Sequence, residues 1–154
     1  MKHSKPKHEA SSLKICFPLE PDESGYPPVK SESLWCTLTK RKTYIVDNVP
    51  FFVRDVSLGD EIAAKKSDEL LRYFAMVHPS KNSTVRVLFK KPSRADFIMK
   101  KISDFGCGFE LMPKLSLLAV NMPPKARIAD TLSFLDKEVK DGNIGIEESA
   151  VRYQ

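Results

Sequence analysis

STVRVLFKKPSRADFIMKKISDFG, residues 83–106, carries two hydrophobic periods in succession, and the change between them decides how this chain folds. STVRVLF (83–89) alternates apolar and polar residues, the period of a strand. From Ser93, read as an N-cap with Asp96 at the capping-box position, Ala95, Ile98, Ile102 and Phe105 recur at helical spacing. Gly106 supplies the left-handed exit. Further along, FELMP (109–113) and LSLLAVN (115–121) read as strands, and Pro123-Pro124 introduces a second helix whose inward face is Ile128, Leu132, Leu135 and Val139. Gly142 ends that helix, and IGIEESAVRY closes the chain as a last strand. The order β-α-β-β-α-β over residues 83–153 is that of a ferredoxin-like unit.

Toward the N-terminus the punctuation changes to that of β structure. Short apolar or alternating runs appear at LKICF (13–17), SLWCTLT (33–39), TYIVD (43–47), DEIAAKK (60–66) and LLRYFAMV (70–77). The charged turns KRK (40–42) and SDE (67–69) close two hairpins. Five short strands of this kind suit a small SH3-like barrel, because closure removes the exposed edges of a small sheet. Only HPSKN separates the halves. The expected fold is therefore α+β: a β-barrel-like, SH3-like sheet over 13–80 packed on a ferredoxin-like unit over 81–154, preceded by a flexible basic tail at 1–12.

The 154 residues suffice to bury a core without staples. With 42% hydrophobic and 29% charged residues the composition is that of a globular protein. Cys16, Cys36 and Cys107 are odd in number, widely spaced and set among apolar neighbours, so they read as buried free thiols. The histidines, His3, His8 and His78, offer no HxxxH, and no CxxC is present, so neither a metal site nor a cofactor is assigned. MKHSKPKHEASS lacks the apolar centre of a signal peptide, and no apolar run approaches the roughly 20 residues of a membrane helix. A cytoplasmic protein with no membrane partner is the expectation.

Two segments fit neither helix nor clean strand. GYPPVKSESLW (25–35) is a proline-stiffened extended connection leading to the lone tryptophan, Trp35. DNVPFF (47–52) is a turn followed by two bulky anchors, and SLGDEI uses Gly59 as a tight turn before the next strand. Trp35, Phe51 and Phe52 are either core residues or an aromatic ledge for a partner. Taken with STVRV and AVNMPP, these segments resemble an uncharacterised family of small bacterial proteins, described only as a domain of unknown function. Its pattern runs E-S-L-W, N-x-P-F-F, S-x-G-D and a terminal P-P helix, over about residues 13–153. The resemblance implies a bacterial source and one continuous unit, and brings no activity with it.

Enzyme signatures are missing: no G-x-S-x-G, no P-loop and no dinucleotide fingerprint, in a chain with 6 glycines. His78 has no nucleophile or carboxylate in an obvious relation to it, and the neighbours Asp60-Glu61 and Glu147-Glu148 point to opposite faces of a strand. Charge is the uneven feature. At a net charge of +5, positive residues gather at Lys40-Arg41-Lys42 and at Lys90, Lys91, Arg94, Lys100 and Lys101, whereas the second helix carries Asp130, Asp136, Glu138 and Asp141. The expected role is that of a non-enzymatic binding protein, an immunity protein that neutralises a cognate toxin domain. Its candidate partner-binding residues are Lys90, Lys91, Arg94, Lys100 and Lys101 with Trp35, Phe51 and Phe52. Nucleic-acid binding through the basic surface is the alternative, disfavoured because STVRVLF and LSLLAVN offer no aromatic platform.

Overall fold

Up to Thr37, every second residue of the strand Ser31–Leu38 is buried, Glu32, Leu34 and Cys36 facing one way while Ser33, Trp35 and Thr37 face the other. In the computed structural model, which describes residues 3–5 and 11–153, this strand is β2 of a closed five-stranded barrel. Its companions are β1 (Ser12–Pro18), β3 (Tyr44–Val46), β4 (Glu61–Ser67) and β5 (Leu70–His78). Consecutive strands pair antiparallel, and the barrel closes through a parallel contact of β1 with β5 at Cys16 and Arg72. In a meander of five strands the first and last run in the same direction, so only a parallel pair can close it. Ile15, Phe17, Leu34, Cys36, Val46, Val53, Val56 and Ile62 fill the interior.

Two compact units divide the chain, Met1–Ser80 and Lys81–Gln154. The second contains β6 (Ser83–Phe89), α1 (Ala95–Asp104), β7 (Gly108–Met112), β8 (Leu117–Met122), α2 (Ile128–Lys140) and β9 (Ile144–Ala150). Its antiparallel sheet has the order β7-β8-β6-β9. Val85, Val87, Phe89, Leu118, Val120, Met122 and Ile144 from the sheet share one cluster with Ile98, Ile102 and Leu135 from the helices. Both helices therefore lie on the same face. On the alternate positions of β6, Arg86 is 2% exposed and pairs with Glu147 of β9 at 2.8 Å. The mixed α+β class, the barrel and the second sheet agree with the sequence reading.

Three details differ from expectation. Ser93 does not cap α1: Pro92 begins a 3-10 turn, Pro92–Arg94, which places Ser93 inside the turn and makes Arg94 the N-cap. Likewise Pro123-Pro124 does not start α2. The prolines open a turn closed by the Ala126 N–H on the Pro123 carbonyl, and the helix begins at Ile128. The inward stripe of α2 is also rotated. Its buried residues are Thr131, Leu135 and Glu138; Ile128 and Leu132 are half-buried, and Val139 is 38% exposed. Polar residues occupy buried positions because each is bonded there, Thr131 to the Arg127 carbonyl and Glu138 to Arg94 and Asn143.

Of the basic tail expected at 1–12, residues 1, 2 and 6–10 lie outside the described residues. His3 is buried rather than loose, and Ser12 already belongs to β1. All three cysteines are free and buried. Among the described residues no helix is long and apolar enough to cross a membrane.

The rotated stripe separates two substitutions that the sequence treats alike. Leu135→Asp, like Ile98→Asp, places an unpaired charge in the core and is expected to cost about 4 kcal/mol or more. Val139→Asp is expected to cost about 1 kcal/mol, mainly from an added negative charge near the helix C-terminus. Urea midpoints of the three variants check the difference.

Candidate functional site

Glu32 takes an inward position of β2, where the alternation otherwise places Leu34 and Cys36. Its carboxylate is fully buried and accepts three successive backbone N–H groups, from Phe51 at 2.6 Å, Phe52 at 3.0 Å and Val53 at 2.9 Å. His3 Nε2 completes the set at 2.7 Å. Burial pushes the Glu32 carboxyl upward, but the hydrogen bond and charge of His3, with the Phe51 and Val53 N–H groups, outweigh it. They hold Glu32 below its ordinary value of 4.5. N-V-P-F-F is thus an anion cradle built of backbone, and its ligand is the glutamate of E-S-L-W.

The other motif residues work the same way. Asn48 Oδ1 accepts the Trp35 N–H at 2.7 Å, and the Thr37 hydroxyl donates to Asp47. Asp60 accepts the N–H groups of Ser57 and Ser80, each at 2.8 Å, while the Ser80 hydroxyl donates to the Leu58 carbonyl. Gly59, at φ +87°, turns its N–H onto the Val46 carbonyl. These bonds fasten the loop 47–60 across the barrel.

Phe51 and Phe52 are both buried, so neither forms an exposed ledge. Trp35 stands on the outward side of β2 and is half-buried. His3, Ser4 and Lys5 lie against this region. The His3 ring stacks on Phe51 with centroids 4.8 Å apart, and the Trp35 indole N–H donates to the His3 carbonyl at 3.0 Å. Asn48 Nδ2 donates to the Ser4 carbonyl at 3.3 Å, and Lys5 sits 5.2 Å from the indole centroid, with Lys14 at 5.0 Å.

The five cations singled out in the sequence do not act alike. Arg94 is committed to Glu138, Nη2 to Oε2 at 2.6 Å, and its guanidinium lies over Phe97. This pair joins the start of α1 to the end of α2. Lys100 faces Asp104 at 3.3 Å, and Lys101 is half-buried above Phe105 and Phe134. Lys90 and Lys91 are exposed, and their backbone N–H groups donate to the Asn143 carbonyl.

Among the described residues, the open depressions of the barrel unit include the following two. One, of about 280 Å³, is lined by Phe17, Leu19, Pro27, Phe52, Val53 and Tyr73 among others. The second, of about 470 Å³, is formed by Arg41, Thr43, Glu61, Val77 and His78. Hydrogen bonds from Thr43 and Arg41 outweigh desolvation and hold the Glu61 carboxyl below its usual range, with a smaller contribution from the charge of His78. His78 therefore does face a carboxylate. Its partner is Glu61, opposite it in the β4–β5 ladder and distant in sequence.

That ladder holds the feature the sequence concealed. Ala64 pairs with Tyr73 and Ala63 with Ala75, which skips Phe74; Ile62 pairs with Met76 and Glu61 with His78, which skips Val77. Each skipped residue sits at a β-bulge, a device that re-aims side chains. Phe74 is 57% and Val77 48% exposed, with Leu70 at the hairpin tip equally open. Lys65 lies 3.6 Å from the Phe74 ring centroid.

Residues 32–146 match the family described as Domain of unknown function (DUF4265). The matched span begins at Glu32 and includes its three backbone donors. No curated protein matches the chain. Among solved structures, a hypothetical protein from Neisseria gonorrhoeae is similar in fold, with a TM-score of 0.76 at 18% identity over 99% of this chain and 100% of that one.

Glu32→Gln is expected to lower stability by about 2–4 kcal/mol, because an amide cannot accept three converging N–H groups on two oxygens. The acid limb changes too. A carboxyl held below 4.5 in the fold contributes stability that is present above 4.5 and is lost as pH falls through the folded value. Thermal melts of both proteins from about pH 7 to pH 3 should show this part of the acid sensitivity missing from the variant.

Proposed function

Since the chain belongs to this family of unknown function, we propose its role from its surface chemistry: it is a non-enzymatic binding protein, an immunity protein that neutralises a cognate bacterial toxin domain by occluding it. The observation that carries this reading is the exterior of the β4–β5 hairpin, which presents Phe74 and Val77 to solvent with Leu70 exposed at its tip. Lys65 lies over the Phe74 ring, and Arg72 stands opposite Lys65 in the ladder. An exposed aromatic anchor with a charged rim is the anatomy of a protein interface. A cationic rim favours an acidic partner surface, both in encounter rate and in choice of partner. The buried Glu32, Asn48 and Asp60 support the same reading, since their side-chain oxygens accept backbone N–H groups of the barrel.

This moves the centre of the contact surface away from α1. Arg94 and Lys100 already face Glu138 and Asp104, which serves the nucleic-acid alternative poorly. Lys90 and Lys91 remain exposed cations of the second unit, described apart from the hairpin surface. Two finer structural readings belong to the same proposal. The meander barrel suits an SH3-like fold, and the order β7-β8-β6-β9 around a β-α-β-β-α-β chain suits a ferredoxin-like one. A toxin antidote of this type acts in the cytoplasm.

The test is co-expression with the neighbouring gene's product in cells which that product kills. Rescue is expected, with a stoichiometric complex on gel filtration burying roughly 1,600 Å². Phe74→Asp should abolish both while leaving the melting temperature within about 2 °C, because the ring is solvent-facing. Continued killing despite abundant folded protein, with no complex, rejects the proposal; oligonucleotide binding at about 50 mM salt that weakens steeply with added salt replaces it with the alternative.

A further inference from the structure

The contacts of His3, Ser4 and Lys5 are those of a ligand in a site. Each successive residue is read separately. The imidazole of His3 is held between the Glu32 carboxylate at 2.7 Å and the Phe51 ring at 4.8 Å, with both ionisable side chains fully buried. The His3 carbonyl accepts from the Trp35 indole and the Ser4 carbonyl from the Asn48 amide. The Ser4 side chain is exposed, and the Lys5 ammonium lies over the indole. The pattern is a histidine, any residue, then a lysine. We propose that Glu32, Phe51, Trp35 and Asn48 form a peptide-binding site for a His-x-Lys segment, which the chain's own residues 3–5 occupy.

The site can open without dismantling the barrel. Glu32 keeps its three N–H donors from Phe51, Phe52 and Val53 when His3 departs, so the buried carboxylate does not become an orphan charge. Asn48 keeps its bond to the Trp35 N–H and thereby its orientation. What opening uncovers is an acidic imidazole acceptor, one face of Phe51, an indole N–H and an amide N–H, all already positioned. Preorganisation of this kind lowers the entropic cost of binding a segment supplied in trans. Charges facing the segment include Glu32, which attracts the imidazole, and Lys14, which shares the Trp35 ring with Lys5.

The experiment uses the full chain carrying His3→Ala and a dye-labelled peptide of residues 1–7, MKHSKPK, read by anisotropy and by the emission of Trp35, the sole tryptophan. The peptide should bind this variant at least about tenfold more tightly than the wild-type chain, whose own segment competes. Replacing the peptide's histidine with alanine should weaken binding at least about tenfold, since the charge-assisted bond to Glu32 is lost. No binding to the folded variant at about 1 mM peptide, or equal binding of the histidine-free peptide, overturns the proposal. Lys5→Glu supplies a second arm, because Lys5 is exposed and its change leaves the core intact. Peptide binding by that chain should exceed binding by wild type. Equality of the two, should His3→Ala not fold, overturns the proposal as well.

Discussion

A carboxylate inside a small barrel must be given partners or be neutralised, and Glu32 is given them by the loop 47–60. An ionised side chain at an inward position costs several kcal/mol unless hydrogen bonds replace its water. Three consecutive backbone N–H groups can converge on one carboxylate only if the chain after Pro50 curls across the barrel end. That curl carries Val53 and Val56 into the core cluster and buries Phe51 and Phe52. Asn48 and Asp60 then secure its two ends, one to β2 and the other to the turn before β4 and to Ser80. The burial of the loop, the path of the chain between β3 and β4, and the outward position of the half-buried Trp35 all follow from where this one charge sits.

The second unit uses the same physics with a cation. Glu138 is buried on α2 and takes Arg94 and Asn143 as partners, so the helix C-terminus, the start of α1 and the turn into β9 are tied at one point. Arg94 is thereby removed from the pool of surface charge. A row of positive residues in a sequence therefore describes a solvent-facing patch only after the acidic residues brought to it by folding have been counted. On this surface Lys90 and Lys91 retain that character, Lys100 is exposed with Asp104 beside it, and Arg94 is committed to the buried Glu138.

Where the motifs act inward, the surface chemistry lies elsewhere. The β4–β5 hairpin combines two register shifts: Phe74 is outward by alternation from Tyr73, and the shift beside it brings Met76 back to the core and leaves Val77 outside. An exposed phenylalanine under a lysine is stabilised by the cation's attraction to the ring face, yet its edge stays available. The same hairpin brings His78 opposite Glu61, with Arg41 and Thr43 bonded to that carboxylate. Apolar and charged groups thus stand together on the outside of a barrel whose inside is fully engaged.

Periodicity alone was enough to determine the kinds and order of elements. The β-α-β-β-α-β run from Ser83, the five short strands before it and the exit at Gly106 are local consequences of side-chain spacing and backbone preference, and folding left them in place. The free, buried thiols followed from their apolar neighbours; burial, with the charge of Asp47, pushes Cys36 up to about 12. Only the tertiary structure decided the rest. The α2 stripe rotated because Thr131 bonds the Arg127 carbonyl one turn back and Glu138 found a partner 44 residues away in Arg94, which no helical wheel contains. Glu32 and His3, 29 residues apart, read separately as a strand residue and a tail residue. Val77 reads as an inward residue in alternation with Leu71 and Tyr73, since a bulge is a property of the pairing of two strands and leaves no mark in either. Spacing within a segment is written in the chain, whereas the partner that makes a buried charge tolerable, or an apolar side chain exposed, is supplied by whatever the fold brings beside it.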